Sequence, residues 1–163
     1  MLISIVLSSL IACGGSEPKA EAPKAEAPKV EAPAPAAAPA APAATYVPTE
    51  LAAKAYEAAK AAGADTKPNA LSGNAEAIAK GKANYAGKCA SCHGVEGGGD
   101  GVVGAALNPK PANFKDKVRW DFTTVGTKQW ILMNGIAGSA MAKLVADDNE
   151  AAEIVAYLET LPR

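Results

Sequence analysis

The segment "CASCHGVEGGGDG", Cys89 to Gly101, holds two of the chain's three cysteines and its only histidine within its first five residues. On a helical turn Cys89 and Cys92 face the same side, and His93 follows directly. Several chemistries use a C-x-x-C pair. A structural zinc site takes four ligands, typically two such pairs or one pair with two histidines, and the sequence offers neither a second pair nor a second histidine. A thioredoxin-like redox pair belongs in a βαβ context, and no alternating strand pattern occurs in this chain. A plain disulfide suits an exported protein but assigns no role to His93 or to the glycines after it.

The pattern C-x-x-C-H is the specific signature of covalent haem attachment, and it gives all three residues work to do. Two sulfurs on one side of a turn can form thioethers with the two vinyl groups along one porphyrin edge. His93, next in sequence, can then turn its imidazole toward the iron as the proximal ligand. One covalent haem c is therefore the expected cofactor, with a zinc or disulfide role as the alternatives.

The flanking sequence supplies helices and loops. Asn74 has the form of an N-cap, and Ile78, Gly81, Tyr85 and Cys89 recur at intervals of three and four. This spacing predicts a helix over 75–88 that delivers the cysteines at its C-terminal end. "GVEGGGDGVVGAALNPKPAN", Gly94 to Asn113, reads as a long irregular loop of the kind that wraps something. "GTKQWILMNG", Gly126 to Gly135, predicts a short helix ending at glycine, and "GIAGSAMAKL" after it a second loop. In "DDNEAAEIVAYLETL", Asp147 and Glu150 stand at capping-box spacing, with Ala151, Ile154, Leu158 and Leu161 along one helix face. A further helix is expected in "TELAAKAYEAAKAAG", capped by Thr49 and stopped by Gly63. Its apolar side is mostly alanine with Leu51 and Tyr56, which predicts loose packing. The fold class is all-α with long loops.

Composition agrees with a bound group inside a small domain. Of 163 residues, 49% are hydrophobic, yet much of that is alanine, and only two Trp, two Phe and four Tyr are present. A small domain so poor in large apolar side chains usually needs a staple. The charge is nearly balanced, 16 basic against 17 acidic residues. No basic stripe with interleaved aromatics appears, so nucleic acid is not an expected partner.

The N-terminal third has a different character. "LISIVLSSLIA", Leu2 to Ala12, is an apolar run too short for a permanent membrane span and suited to the core of a signal peptide over 1–12, although no Lys or Arg precedes it. It ends in "LIAC", Leu10 to Cys13, which resembles the lipobox of bacterial lipoproteins. Cys13 is then a lipidated anchor, and an ordinary cleaved signal with an incidental cysteine is the alternative. Beyond it the sequence turns to Ala, Pro, Lys and Glu with an imperfect repeat, "KAEAP" at Lys19 and Lys24 and "KVEAP" at Lys29. Regular proline and little to bury predict an extended spacer over 13–48, about thirty residues of which reach at most on the order of 90–100 Å. The expected organisation is completed by an accessory helix and connector over 49–73 and a haem domain over 74–163.

From about Ala75 to Leu161 the sequence resembles the small mono-haem class I c-type cytochromes, through the C-x-x-C-H motif, the "GVEGGGDG" and "PKPANF" segments and the helices on either side. That resemblance implies an N-terminal and a C-terminal helix crossing at a glycine packed against an aromatic. The matching residues are Gly81 and Tyr85 with Tyr157 and Leu158. It implies a backbone carbonyl near Pro109 or Pro111 that accepts from His93 Nδ1, and a methionine from the loop before the last helix as sixth ligand. Met141 matches that place, with Ala142 where the family usually has proline. Met133, inside the apolar run "WILM", reads instead as core.

A haem iron held by His93 and Met141 has no vacant position, so its natural work is one-electron transfer. The expected protein is an exported, lipid-anchored electron carrier on the periplasmic side of a bacterial membrane, inner or outer. Its donor would be a quinol-oxidising complex or dehydrogenase, and its acceptor a terminal oxidase or reductase of a respiratory chain. It would be no enzyme by itself. The alternatives are a fixed haem subunit of a larger oxidoreductase complex and, if Met141 is no ligand, a five-coordinate haem protein that binds a gas or peroxide. Lys80, Lys82, Lys88, Lys110, Lys115, Lys117 and Arg119 could form a docking rim, but Glu96, Asp100, Asp116 and Asp121 are interspersed, and ordinary solvated charge is the preferred reading.

Overall fold

A computed structural model describes residues 45–163. The expected signal segment over 1–12, the Cys13 anchor and most of the Pro-rich spacer lie outside the described residues. Among the described residues all regular structure is helical: α1 (Glu50–Ala61), α2 (Ala75–Lys88), α3 (Ala90–His93), α4 (Lys117–Asp121), α5 (Val125–Asn134) and α6 (Asp148–Glu159), with 3₁₀ turns at Ala64–Thr66 and Gly104–Ala106. None of these helices is long and apolar enough to cross a membrane.

The long helices begin where the sequence provides side-chain caps. Thr49 Oγ1 accepts from the Ala52 amide at 3.3 Å, Asn74 Oδ1 from Ala77 at 3.0 Å, Thr124 Oγ1 from Thr127 at 3.2 Å and Asp147 Oδ1 from Glu150 at 2.9 Å. Each cap satisfies one backbone donor that the first turn leaves without a partner. At α6 only this half of a capping box forms, because the Glu150 carboxylate turns away to pair with Lys88 of α2. Replacing Asp147 with Ala is expected to lower stability by about 1 kcal/mol, read as a lower denaturant midpoint at unchanged slope.

The core lies between α2 and α6, the most extensive helix contact in the fold. Tyr85, Ile154, Val155 and Val145 are fully buried there, beside Cys89, Leu132 and Leu158. Burying an aliphatic or aromatic side chain of this size stabilises by about 1.5–3 kcal/mol. The helices cross at Gly81, where backbone meets backbone: a Cβ there would overlap the Glu153 carbonyl and lie 3.0 Å from the Ile154 nitrogen. The aromatic contact comes one turn later, between the Tyr85 and Tyr157 rings at 5.3 Å. The family resemblance implied a glycine packed against an aromatic; Gly81 instead meets the main chain of Glu153 and Ile154, and the aromatic contact is between Tyr85 and Tyr157.

In α1 the buried residues are Ala52, Ala55 and Ala59. Methyl side chains let this helix approach α5 and the 3₁₀ turn closely, so the alanine face is packed where the sequence predicts looseness. Leu51 and Tyr56, expected on that face, instead stand half-buried on a cavity described below. The sequence does not predict helix α4. It is one turn, capped by Asp116 Oδ1 on the Arg119 amide at 3.2 Å, and none of its residues is buried, so no apolar period marks it.

Candidate haem site

Cys89 ends α2 and starts α3, and the His93 amide donates to the Cys89 carbonyl at 2.9 Å. The motif is therefore wound as one helical turn. The glycine-rich loop folds back onto it: Gly99 N donates to His93 O at 2.7 Å, Gly101 N to Cys92 O at 3.2 Å and Val103 N to Ser91 O at 2.9 Å. This approach leaves no space for side chains at two positions. A Cβ at Gly101 would lie 2.6 Å from the Cys92 carbonyl carbon, and one at Gly104 would overlap the Cys92 carbonyl oxygen. The Tyr85 hydroxyl donates to Gly94 O at 2.7 Å and ties α2 to the residue after the histidine.

His93 is buried, and its Nδ1 lies 3.0 Å from the Ala112 carbonyl oxygen. A carbonyl only accepts, so Nδ1 carries the proton and Nε2 the free lone pair. The acceptor is the residue after Pro111, close to where the resemblance placed it. The ring stacks on Phe114 with centroids 4.7 Å apart and planes inclined by 21°. Burial, above all, pushes the imidazole below its ordinary pKa; the Ala112 carbonyl opposes this and the Arg119 charge adds to it. A neutral imidazole, oriented by a carbonyl and presenting Nε2, is the form that ligates a metal.

The Cys89 thiol differs from that of a redox centre. Burial pushes the Cys89 thiol up to about 11, whereas a reactive C-x-x-C thiol is held low. Both cysteines are free. Among the described residues no group of three or more Cys, His, Asp and Glu side chains converges to hold a metal ion, so a four-ligand zinc site lacks ligands.

Cys89, Cys92 and His93 line a cavity of about 570 Å³, within the size range of sites for small molecules and cofactors. Leu107, Ile131, Leu132, Ile136, Leu144 and Leu158 give it apolar walls, and Met141 lies on the same cavity as His93. Met133 is not among its walls; it packs against the helical core. The Met141 loop lacks the proline but is held by hydrogen bonds: Ile136 N donates to Met141 O at 2.8 Å, Met141 N to Ser139 Oγ at 3.1 Å, and Val145 N to Leu132 O of α5 at 3.3 Å. An apolar group bonded through Cys89 and Cys92 and ligated by His93 would find its partners among the lining residues of this one cavity. The residues present therefore suit a haem.

Several wall residues escaped sequence reasoning: Tyr46, Tyr56, Phe114, Arg119, Trp120 and Lys128. Their only sequence signal is scarcity. Of the eight aromatic residues in the chain, Tyr46, Tyr56, Phe114 and Trp120 line this one cavity.

The cytochrome c family matches residues 78–162, more than half of the chain, and the chain belongs to that family. Membership carries with it a covalently bound haem and electron transfer as the chemistry of the domain. No curated protein matches the sequence. Among solved structures, the reducing HAO-like protein complex of Kuenenia stuttgartiensis is similar at 27% identity and a TM-score of 0.43, over 51% of this chain and 41% of that chain. The chain thus spans less than half the length of that relative.

Proposed function

We propose that the protein is a membrane-tethered, periplasmic one-electron carrier of a respiratory chain, with one haem c bonded through Cys89 and Cys92 and ligated by His93 and Met141. The observation that supports this most is that His93 and Met141 border one apolar cavity while the competing Met133 is excluded from it. The haem, when bound, supplies an Fe(III)/Fe(II) couple. Around it, His93 would present Nε2 because Ala112 holds the Nδ1 proton, and the loop from Ile136 to Val145 holds Met141 on the cavity. With two protein ligands no position remains for a substrate, which favours electron transfer over gas or peroxide chemistry.

Docking through a free ring of lysines finds little support. Lys80 pairs with Glu76, Lys88 with Glu150, Lys115 with Glu96 and Lys117 with Asp121, and the Lys110 ammonium donates to the Ala105 carbonyl. Most of the candidate rim is internally engaged, as ordinary solvated charge would be. The carrier would take electrons from a quinol-oxidising complex or dehydrogenase and pass them to a terminal oxidase or reductase, with Cys13 as the lipid anchor and the Pro-rich spacer as tether.

The test is the ferric near-infrared spectrum of the haem-loaded protein. The methionine-ligation band is expected in the unmodified protein and absent from Met141→Ala, whereas Met133→Ala retains it. A spectrum unchanged by Met141→Ala removes the proposed axial pair, and absence of the band from the unmodified protein favours the five-coordinate alternative.

A further inference from the structure

The loop that carries Met141 is tied mainly to itself. It leaves α5 at Gly135 (φ 74°) and turns again at Gly138 (φ 79°), two left-handed positions that glycine takes without strain. Besides the bonds of Met141 to Ile136 and Ser139, the Ser139 amide and hydroxyl both donate to Ile136 O, at 3.0 and 2.8 Å. Among the described residues, every hydrogen bond made by 136–142 has its partner inside that same stretch. Bonding to the rest of the domain resumes only at Leu144 and Val145, whose amides donate to Leu132 O, both at 3.3 Å. A segment hydrogen-bonded to its domain only at its two ends has hinges there, so its place across the cavity depends on what it packs against.

One such contact comes from sequence ahead of the family match, which starts at residue 78. A Cβ at Gly138 would lie 3.4 Å from Leu51 Cδ2 and 3.8 Å from Leu51 Cδ1. Chain neighbours aside, no other atom among the described residues comes within 4 Å of that position. Leu51 is thus the one side chain laid over this face of the Gly138 turn. It is half-buried and lines the haem cavity together with Ser139, Ala140 and Met141.

Leu51 stands on a fixed support. Helix α1 docks through Ala52, Ala55 and Ala59 onto α5, the helix from which the Met141 loop departs. The chain after α1 is fastened again: a Cβ at Gly126 of α5 would overlap the Ala64 carbonyl, Lys67 pairs with Asp148 at 2.6 Å, and Asn69 Nδ2 donates to Ala152 O of α6 at 3.0 Å. The alanine face already seats the helix, and Leu51, which lies off that face, is left over for the loop.

We propose that Leu51 is a positioning residue for Met141: through it the accessory helix α1 braces the sixth-ligand loop across the cavity and keeps outside ligands from the iron. The proposal rests on the Met141 ligation proposed above. An outside ligand competes for the sixth position only where the loop has swung open, so its apparent affinity is its intrinsic affinity scaled by the open fraction. Leu51 meets the Gly138 turn in the closed arrangement alone, and an interaction made in one of two states shifts the population toward that state. Apolar surface shared by Leu51 and the loop is returned to water on opening. The segment ahead of the family domain thereby sets how firmly the methionine is held.

The test titrates the full-length, haem-loaded ferric protein with imidazole and follows loss of the near-infrared methionine-ligation band. Leu51→Ala is expected to bind imidazole about tenfold more tightly than the unmodified protein, because the open fraction rises by that factor. Leu51→Met, which keeps the volume, is expected to return to within about twofold. Asn74→Ala removes the N-cap of α2; it is expected to lower the denaturant midpoint and leave the imidazole affinity unchanged, which separates bracing from a general loss of stability. Should Leu51→Ala not load with haem, Leu51→Val, which withdraws only the end of the side chain, decides. An unchanged imidazole affinity in the folded Leu51 variants, or an equal rise in Asn74→Ala, overturns the brace, while a methionine band in the unmodified protein leaves Met141 ligation standing. An unmodified protein without that band overturns both.

Discussion

Serine at both Cys89 and Cys92 is expected to yield, from a host able to attach haem, a protein without covalent porphyrin and without a stable fold. The size of the effect follows from the cavity. Leaving about 570 Å³ unfilled, at about 24 cal/mol per Å³, costs on the order of 10 kcal/mol, as large as the whole stability of a typical domain, about 5–15 kcal/mol. The apolar side chains that remain are few. The large side chains that do line the cavity would lose the group they pack against, so the walls should open. Far-ultraviolet circular dichroism and limited proteolysis check this: reduced helix and cleavage within 89–145 are expected. A cooperative melt matching that of the haem-loaded protein would show that the domain does not depend on the group.

Gly81→Ala has the second largest expected effect, and its sign decides between two physical terms. Helix propensity alone predicts a gain of about 0.8–1.0 kcal/mol. The structure predicts the reverse, because the added methyl meets the Glu153 carbonyl and main chain cannot rotate aside as a side chain would. Helices α2 and α6 must separate over the core that holds Tyr85, Ile154 and Leu158, and such overpacking costs about 1–3 kcal/mol and occasionally more. A net loss of about 2 kcal/mol is expected. At Gly87, on the same helix, an added methyl would find nothing within 4 Å, so Gly87→Ala should show the propensity gain alone. Denaturant midpoints of the two haem-loaded variants should therefore move in opposite directions; a shift of both upward would place no close contact at the crossing.

Much of this fold was written in local chemistry. Thr49, Asn74 and Asp147 cap the helices that their side chains foretold, and the period of Gly81, Tyr85 and Cys89 carried the motif to the end of α2. Such features depend on neighbours within a turn and survive into the folded state. The features that were not legible depend on distant segments. The path of the loop after Pro111 places the His93 acceptor at Ala112, and nothing within that loop's sequence fixes its register. Glu150 leaves its capping role for Lys88, 62 residues away in sequence. Tyr46 sits beyond the domain that the motif defines and reaches the cavity only because α1 packs through its alanines.

The cysteine motif itself was fully legible, since C-x-x-C-H states a covalent chemistry independent of the surrounding fold. The cavity gave that chemistry a container. Its cationic wall was invisible beforehand because Arg119 and Lys128 lie in different helices and meet the same space only through the turn between them.

Mass spectrometry of the proteolytic peptide containing Cys89 and Cys92, taken from protein made in a host competent for haem attachment, tests the covalent site directly. One porphyrin bound to that peptide through both sulfurs, and retained in acid acetone, is the expected result. An unmodified peptide with free thiols or an intramolecular disulfide would contradict it.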